Sequence, residues 1–335
     1  MMPGKVTSLE VAERAGVSRS AVSRVFTPGA SVSEKTAQKV RQAASELGYR
    51  PNVLARSLLT GKSRIVGLVV AYLDNHFYPS VLEKLSNALQ ARGYHVLVFM
   101  ASEIDDDLDR VTQEILDYQV DALVLASVPL SSDMVERCEG LGVPVVLFNR
   151  RQETGRGTSV TSNNREGGRL AAELFLRTGH TRIAHLAGSG EASTQRDREA
   201  GFLEGLQAGG VALAERAVGG FDRARTREAA RAMFGKPDRP DAVFSANDVM
   251  AFLTMDVLRF ELGLRVPEDV AVIGFDDVPE AAWPSYDLTT LRQDADAMVA
   301  ATVGALMQVM VNGADTMDSV ELPVRLMERG STRGV

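Results

Sequence analysis

Residues 7–26 read TSLEVAERAGVSRSAVSRVF, and this stretch decides the architecture of the amino-terminal end. Thr7, three residues ahead of Glu10, forms a capping box that starts a helix. Val11, Ala12 and Ala15 share one face of that helix. Gly16 permits the sharp turn that follows, and Ser18 is suited to cap a second helix in which Val22 and Val25 point inward. Two short helices joined by a tight glycine turn make a helix-turn-helix, whose second helix enters the major groove of DNA. The small Ala12 suits a close crossing. Arg19, Ser20, Ser23 and Arg24 lie off the buried face. Arginine pairs bidentately with guanine edges, and serine contacts several bases or phosphates. An ordinary helical hairpin carries the same periodicity, so the pattern alone is only moderately specific.

The neighbouring residues favour DNA. A third helix runs from Ser33 to Leu47, with Ala37, Val40, Ala43, Ala44 and Leu47 at helical spacing and Gly48 as its stop. Residues 1–62 carry a local charge of +6, whereas the other residues of the 335-residue chain carry −13. A basic end on an acidic body suits a protein that grips nucleic acid with one end only. The overall charge of −7 hides this asymmetry. The single cysteine, Cys138, excludes an intramolecular disulfide framework and fits a reducing compartment. No run of eighteen apolar residues and no secretory leader is read, so a cytoplasmic location without membrane partners is expected.

From Ile65 onward short apolar runs alternate with amphipathic helices. IVGLVVAYL (65–73), HVLVFM (95–100), DALVLA (121–126) and PVVLF (144–148) read as strands of one half. SVTS (159–162), RIAHLA (182–187), AVFSA (242–246) and VAVIGF (270–275) repeat the rhythm in a second. The expected class is α/β. Continuously apolar strands alternating with helices imply parallel sheets covered on both faces, here two doubly wound lobes. A ligand would bind between them, beyond the carboxyl ends of the strands. A dinucleotide-binding enzyme is the obvious competitor, but no G-x-G-x-x-G joins a strand to a helix, and Gly61-Lys62-Ser63 lacks the upstream glycine of a phosphate loop. His76, His95, His180 and His185 show no metal-ligand spacing. The body therefore reads as a binding module and not an enzyme, with no cofactor and no metal.

The stretches VAERAGVS, AVSRV, VSEKT, ELGYRPN and LARSL-x-TGKS, within residues 6–64, resemble the headpiece and hinge of the lactose repressor/galactose repressor family of bacterial transcription regulators. The likeness continues through nearly the whole chain. It implies a helix-turn-helix headpiece (1–50), a hinge helix and linker (51–64) and a periplasmic-binding-protein-like body (65–335). The body would have one lobe of about 65–162 plus 292–321 and another of about 163–291 plus 322–335. DNA contacts are implied at Thr7, Ser18, Arg19, Ser20, Ser23 and Arg24, and in the hinge at Asn52, Ala55, Arg56 and Leu58. Leu58 would wedge between base pairs in the minor groove. The implied partners are pseudo-palindromic double-stranded operator DNA, a second copy of the chain and a small-molecule effector.

Candidate effector residues sit at strand ends. Phe77 and Tyr78, after the first strand, could stack on a flat or sugar-like ligand, or could simply pack strand against helix. Ser127 and Asn149 end two strands, where loop capping is the bland alternative. The family resemblance adds Arg198 in ST-x-R-x-R-x-x-G-F, Phe221 in GGFD, Asn247 in SANDVMA, Asp276 in GFDD and Gln293 in LTTLRQ. A surface salt bridge is the ordinary fate of an arginine, and helix capping would account for Asp248 and partly for Asn247. Amides, one carboxylate and one guanidinium beneath aromatic faces suit a carbohydrate or sugar acid. A purine is the alternative, set back because Ala192 stands where a purine-binding relative would supply an arginine. A solute-binding transport component is the rival of another class, but it would carry no headpiece.

Overall fold

The computed structural model describes residues 6–27, 29–50, 62–71, 73–101, 105–126, 132–152, 157–312 and 318–333. The chain divides into two compact units, Met1–Arg64 and Ile65–Val335.

The first unit is built from α1 (Ser8–Ala15), α2 (Arg19–Val25) and α3 (Glu34–Leu47). The capping box is present: Glu10 N donates to Thr7 Oγ1 at 3.4 Å while Thr7 N donates to Glu10 Oε2 at 2.7 Å. Gly16 ends α1 at φ +65°, a left-handed conformation that glycine adopts without a Cβ penalty. Ser18 and Ser33 cap α2 and α3 by accepting from Ala21 N and Thr36 N, each at 3.3 Å. The three helices bury Val11, Ala12, Val22, Val40, Ala43 and Ala44 together. Phe26 and Tyr49 close the cluster with ring centroids 5.9 Å apart.

The second unit contains two six-stranded sheets. The first lobe comprises β1 (Ile65–Val70), α4 (Phe77–Gln90), β2 (His95–Met100), α5 (Asp105–Asp117), β3 (Ala122–Ala126), α6 (Ser132–Gly140), β4 (Val145–Phe148) and β5 (Thr158–Ser162). The second comprises α7 (Asn164–Arg177), β6 (Ile183–Ala187), α8 (Ser193–Ala208), β7 (Glu215–Val218), α9 (Arg223–Phe234), β8 (Ala242–Ser245), α10 (Asp248–Asp256), β9 (Ala271–Asp276) and β10 (Thr289–Gln293). The chain then forms α11 (Ala295–Asn312), which packs on α4 and β5 of the first lobe, and ends with β11 (Val320–Leu322) and β12 (Val324–Met327).

Strand order is β11-β5-β4-β3-β1-β2 in the first sheet and β12-β10-β9-β8-β6-β7 in the second. Central strands such as β3, β6 and β9 are buried along their whole length, which is what helices on both faces require. Where an outer strand has a wet face, the pattern alternates, as in β7.

Three details differ from the sequence reading. The SVTS strand belongs to the first sheet, beside β4, so the rhythm of the second lobe starts at β6. A βα unit, β7 with α9, lies between α8 and β8. Its strand ERAV is a half-exposed edge with too little apolar character to stand out. The second sheet is not wholly parallel, because β12 runs antiparallel to β10.

The chain crosses between lobes at Asn163, at Asp294 and at Pro323, the one residue between β11 and β12. These crossings lie side by side. Leu322 pairs with Ser162 in one sheet and Val324 with Gln293 in the other. Asn163 N donates to Leu322 O at 2.7 Å, and Ser162 Oγ donates to Gln293 Oε1 at 2.8 Å. No helix among the described residues is long and apolar enough to cross a membrane.

Candidate DNA-reading helix and effector cleft

On α2, Arg19, Ser20, Ser23 and Arg24 are all exposed, while Val22 is fully buried. Arg19 Nε donates to Ser8 Oγ at 3.0 Å, which ties the first residue of α2 to the first of α1. Thr7 is also exposed, but its hydroxyl donates to Glu10 Oε2 at 2.8 Å, so the capping box occupies it. Ser18 Oγ is shared between the helix cap and Ser20 Oγ at 2.9 Å. The remaining hinge positions named above, Asn52, Ala55, Arg56 and Leu58, lie outside the described residues, as does Ser127.

In the body, side chains of both lobes line a small cavity of about 30 Å³. Asp74, Asn75, Tyr78, Asn149 and Arg150 come from the first lobe; Thr194, Arg198, Phe221, Asn247, Val249 and Asp276 come from the second. Six expected residues (Tyr78, Asn149, Arg198, Phe221, Asn247 and Asp276) thus meet in one space. Gln293 stands behind it, donating to Asp276 Oδ1 at 2.6 Å. Phe77 does not line the cavity. It is 5% exposed and stacks toward Phe148 in the first-lobe core, because as the first residue of α4 it turns back over the sheet.

Three cavity residues hold left-handed backbones: Asn149 at φ +55°, Phe221 at +63° and Asp276 at +125°. Such conformations cost about 1–3 kcal/mol each for non-glycine residues and concentrate at ligand sites. Each follows or ends a parallel strand, and the reversed backbone turns the side chain toward the cleft. Gly188, after β6, makes room for the Phe221 ring: a Cβ there would lie 2.2 Å from Phe221 Cζ.

Arg198 is 3% exposed and held by several partners. Its Nε donates to Asn164 Oδ1 at 2.8 Å and its Nη1 to Ala246 O at 2.6 Å. Its Nη2 lies 3.6 Å from Asp276 Oδ1, and its Cζ sits 3.6 Å above the Phe275 ring. It is therefore no surface salt bridge. Burial pulls its pKa down to about 10, so the group stays charged at neutral pH, helped by Asp276. Asn149 Oδ1 is buried with no hydrogen-bond partner, an acceptor facing the cavity that a ligand hydroxyl would satisfy.

Capping at α10 falls to Asn247, whose Oδ1 accepts from Met250 N at 2.9 Å. Asp248, assigned that role from sequence, instead accepts from Thr290 Oγ1 at 2.5 Å and from Val278 N at 2.9 Å. Complete burial pushes its pKa up to about 8 from an ordinary 3.8, and the neighbouring Asp276 charge adds to the rise. Asp276 itself is raised, again through burial, with Arg198 opposing. The folded state holds these protons more tightly than the unfolded chain. For Asp248 the stabilisation is complete below about pH 4 and is lost as pH rises toward 8; Asp276 contributes with the same sign. His185 works the other way. Burial lowers it to about 4, so its contribution is present above 6.5 and lost on acidification. Between pH 6.5 and 8 only the carboxylates act. The urea midpoint of the body is expected to fall across that window, and Asp248→Asn to flatten the slope. An identical slope in the variant would assign it to other groups.

Sequence reading missed Asn75, Arg150 and Thr194. Asn75 Nδ2 donates to Asp276 Oδ2 at 3.1 Å, and Arg150 Nη1 donates to Thr194 Oγ1 at 2.8 Å. Both bonds cross from lobe to lobe, as do Arg151 N to Ser193 Oγ at 3.1 Å and His76 Nδ1 to Glu280 Oε1 at 3.0 Å. The available signal was position: Arg150 follows Asn149 at the end of β4, and Thr194 opens α8. Among the described residues, no group of His, Cys, Asp and Glu could hold a metal ion.

A helix-turn-helix unit joined to a two-lobed cleft body defines a class of transcription regulators. The profile described as bacterial regulatory proteins, lacI family, matches residues 8–52, and that of a periplasmic binding protein-like domain matches 158–332. The chain belongs to the lacI family. The ribose operon repressor of Escherichia coli (strain K12) is 30% identical over 330 residues, 97% of this chain and 99% of that protein. The HTH-type transcriptional repressor PurR of Vibrio vulnificus (strain CMCP6) is 31% identical over 290 residues, 86% of each. The lac repressor dimer bound to operator and the anti-inducer ONPF superposes with a TM-score of 0.88 at 29% identity, covering 99% of this chain and 100% of that one. A complex of the transcriptional regulator CelR with cellobiose gives 0.75 at 29%, covering 98% and 100%.

Proposed function

We propose that the chain is a homodimeric repressor whose hold on a pseudo-palindromic operator is controlled by a sugar or sugar acid bound between the lobes. One observation carries the reading: polar side chains of both lobes line a single cavity capped by Phe221. A ligand there bonds to both lobes at once, so its occupancy biases the angle between them. The coupling is reciprocal, and DNA and effector change each other's affinity by the same factor. Two copies of α2 would read two half-sites related by two-fold symmetry. Asn52, Ala55, Arg56 and Leu58 would complete the grip in the minor groove. The names of the ribose repressor and of the cellobiose complex support a carbohydrate. Similarity to PurR favours a purine as the second reading, but Ala192, at the mouth of α8, offers no side-chain donor for one.

The test is a thermal-shift screen of sugars, sugar acids and purines on the purified protein. A true effector raises the melting temperature with concentration and also changes affinity for operator fragments. A compound that does the first without the second would remove the regulatory role from the cleft.

Arg19→Ala is expected to weaken binding to the cognate site by about 1–3 kcal/mol and to relax preference at one base pair. Arg24→Ala should weaken binding more evenly, since its Nε already reaches back to Ser20 O at 3.5 Å. Selection from random DNA reads both effects. An unchanged preference at every position in the Arg19 variant would refute base reading by Arg19.

A further inference from the structure

The buried charges around the cavity do not balance. Arg198 faces Asp276. Arg151, on the rim, pairs with Asp197. Arg150, next to Arg151 in sequence, is only 8% exposed, yet its partners are neutral. Its Nη1 donates to Asn149 O at 3.0 Å and to Thr194 Oγ1 at 2.8 Å. It forms no ion pair among the described residues. Asp276 is already shared by Arg198, Asn75 and Gln293. Asp74, at the mouth, is exposed to solvent. Asp248 is turned away to Thr290 Oγ1 and Val278 N, and burial disfavours its charged form. The charge of Arg150 is felt in the cavity, since it pushes down the pKa of both Arg198 and Asp276.

A buried guanidinium without a counter-charge is costly. Nη1 is occupied, which leaves the N–H groups of Nε and Nη2 as donors in a geometry that suits carboxylate or phosphate. Beside it, Asn149 Oδ1 lacks a donor. A partner that combines an anionic group with a hydrogen-bond donor, such as a hydroxyl, would satisfy both.

We propose that the effector is an acid, a polyhydroxylated molecule whose carboxylate or phosphate pairs with Arg150 in the closed cleft. The proposal rests on the effector site described above and narrows it.

Calorimetry on the full chain tests it with matched sets: neutral aldoses and polyols, the corresponding aldonates and uronates, and the corresponding sugar phosphates. Anionic members are expected to bind about ten- to a hundredfold more tightly than their neutral counterparts, and the two anionic arms show whether carboxylate or phosphate is taken. Arg150→Gln is expected to remove that preference, and Arg150→Lys to keep part of it. Without ligand, Arg150→Gln should melt at the same temperature as wild type or higher, because an uncompensated charge is gone. Tighter binding of the neutral members would overturn the acid assignment while leaving the effector site standing. So would a preference that survives in Arg150→Gln, or a ligand-free variant that melts several degrees lower. Binding of no member would sink the effector site itself and the acid assignment with it.

Discussion

Arg198→Ala is expected to cost the body about 3–5 kcal/mol of stability, the penalty for leaving a buried charge without its partner. The sequence reading places Arg198 on the effector, and a residue serving only ligand could be removed without unfolding anything. The geometry sets a different expectation. Truncation would strip a donor from Asn164 Oδ1 and from Ala246 O, empty the space above the Phe275 ring, and leave the Asp276 carboxylate buried with only Asn75 and Gln293. Whole domains are stable by about 5–15 kcal/mol, so the loss is a large fraction of the total. Arg198→Lys keeps a charge near Asp276 but loses the planar fork that serves several acceptors at once, and should fall between. Urea denaturation followed by far-UV circular dichroism checks the series. A midpoint unchanged in Arg198→Ala would mean that these contacts contribute nothing net, and the residue would return to a purely ligand-facing role.

Gly201→Ala is expected to be as damaging, by about 3 kcal/mol or more, through the opposite fault of too much atom rather than too little. Helices α7 and α8 cross at backbone contact. A Cβ on Gly201 would lie 1.8 Å from Arg165 O, and one on Gly168 would lie 2.0 Å from Arg198 O. Neither obstacle is a side chain that can swing aside. The helices must separate, which opens the packing of Phe202, Phe175 and Ala172 beneath them. The displacement also reaches the cleft, because α8 carries Thr194 and Arg198, and the Arg198–Asn164 bond links the two helices. Gly190→Ala is the control, with open space around the added methyl, and should stay within about 0.5 kcal/mol of wild type. Equal denaturation midpoints for the Gly201 and Gly190 variants would show that the helices part without cost.

The parts of this molecule that could be read in advance are those with local physical signatures. Caps at Thr7, Ser18 and Ser33, stops at Gly16 and Gly48, and long apolar strands such as β3 and β9 each depend on residues within one turn or one strand. Asn149, a polar residue closing an apolar run, was legible for the same reason, whereas Asp276 was singled out by the family resemblance. Arg150 and Thr194 were not legible. Their meaning arises only when β4 of one lobe meets α8 of the other, a juxtaposition that no window of sequence contains. Phe77 misled because an aromatic after a strand looks the same whether it faces ligand or core, and only the start of α4 decides. Arg198 was legible as a cleft residue, but sequence shows a charge and not the carbonyl, amide and ring that also hold it. The β7–α9 unit escaped because an edge strand needs little apolar character.

The three neighbouring crossings at Asn163, Asp294 and Pro323 behave as the pin of a clasp. Strands tied edge to edge at one line can pivot there but cannot slide past one another. A molecule bound between the lobes, as proposed above, would then move them along that one line only. On the proposed function, recognition and response would thereby be uncoupled: residues such as Arg150, Asn149 and Phe221 could be exchanged to suit a new chemical while the hinge line stayed the same. Such a body would be a reusable actuator, whose vocabulary of signals could change without any change to the machinery that acts on them.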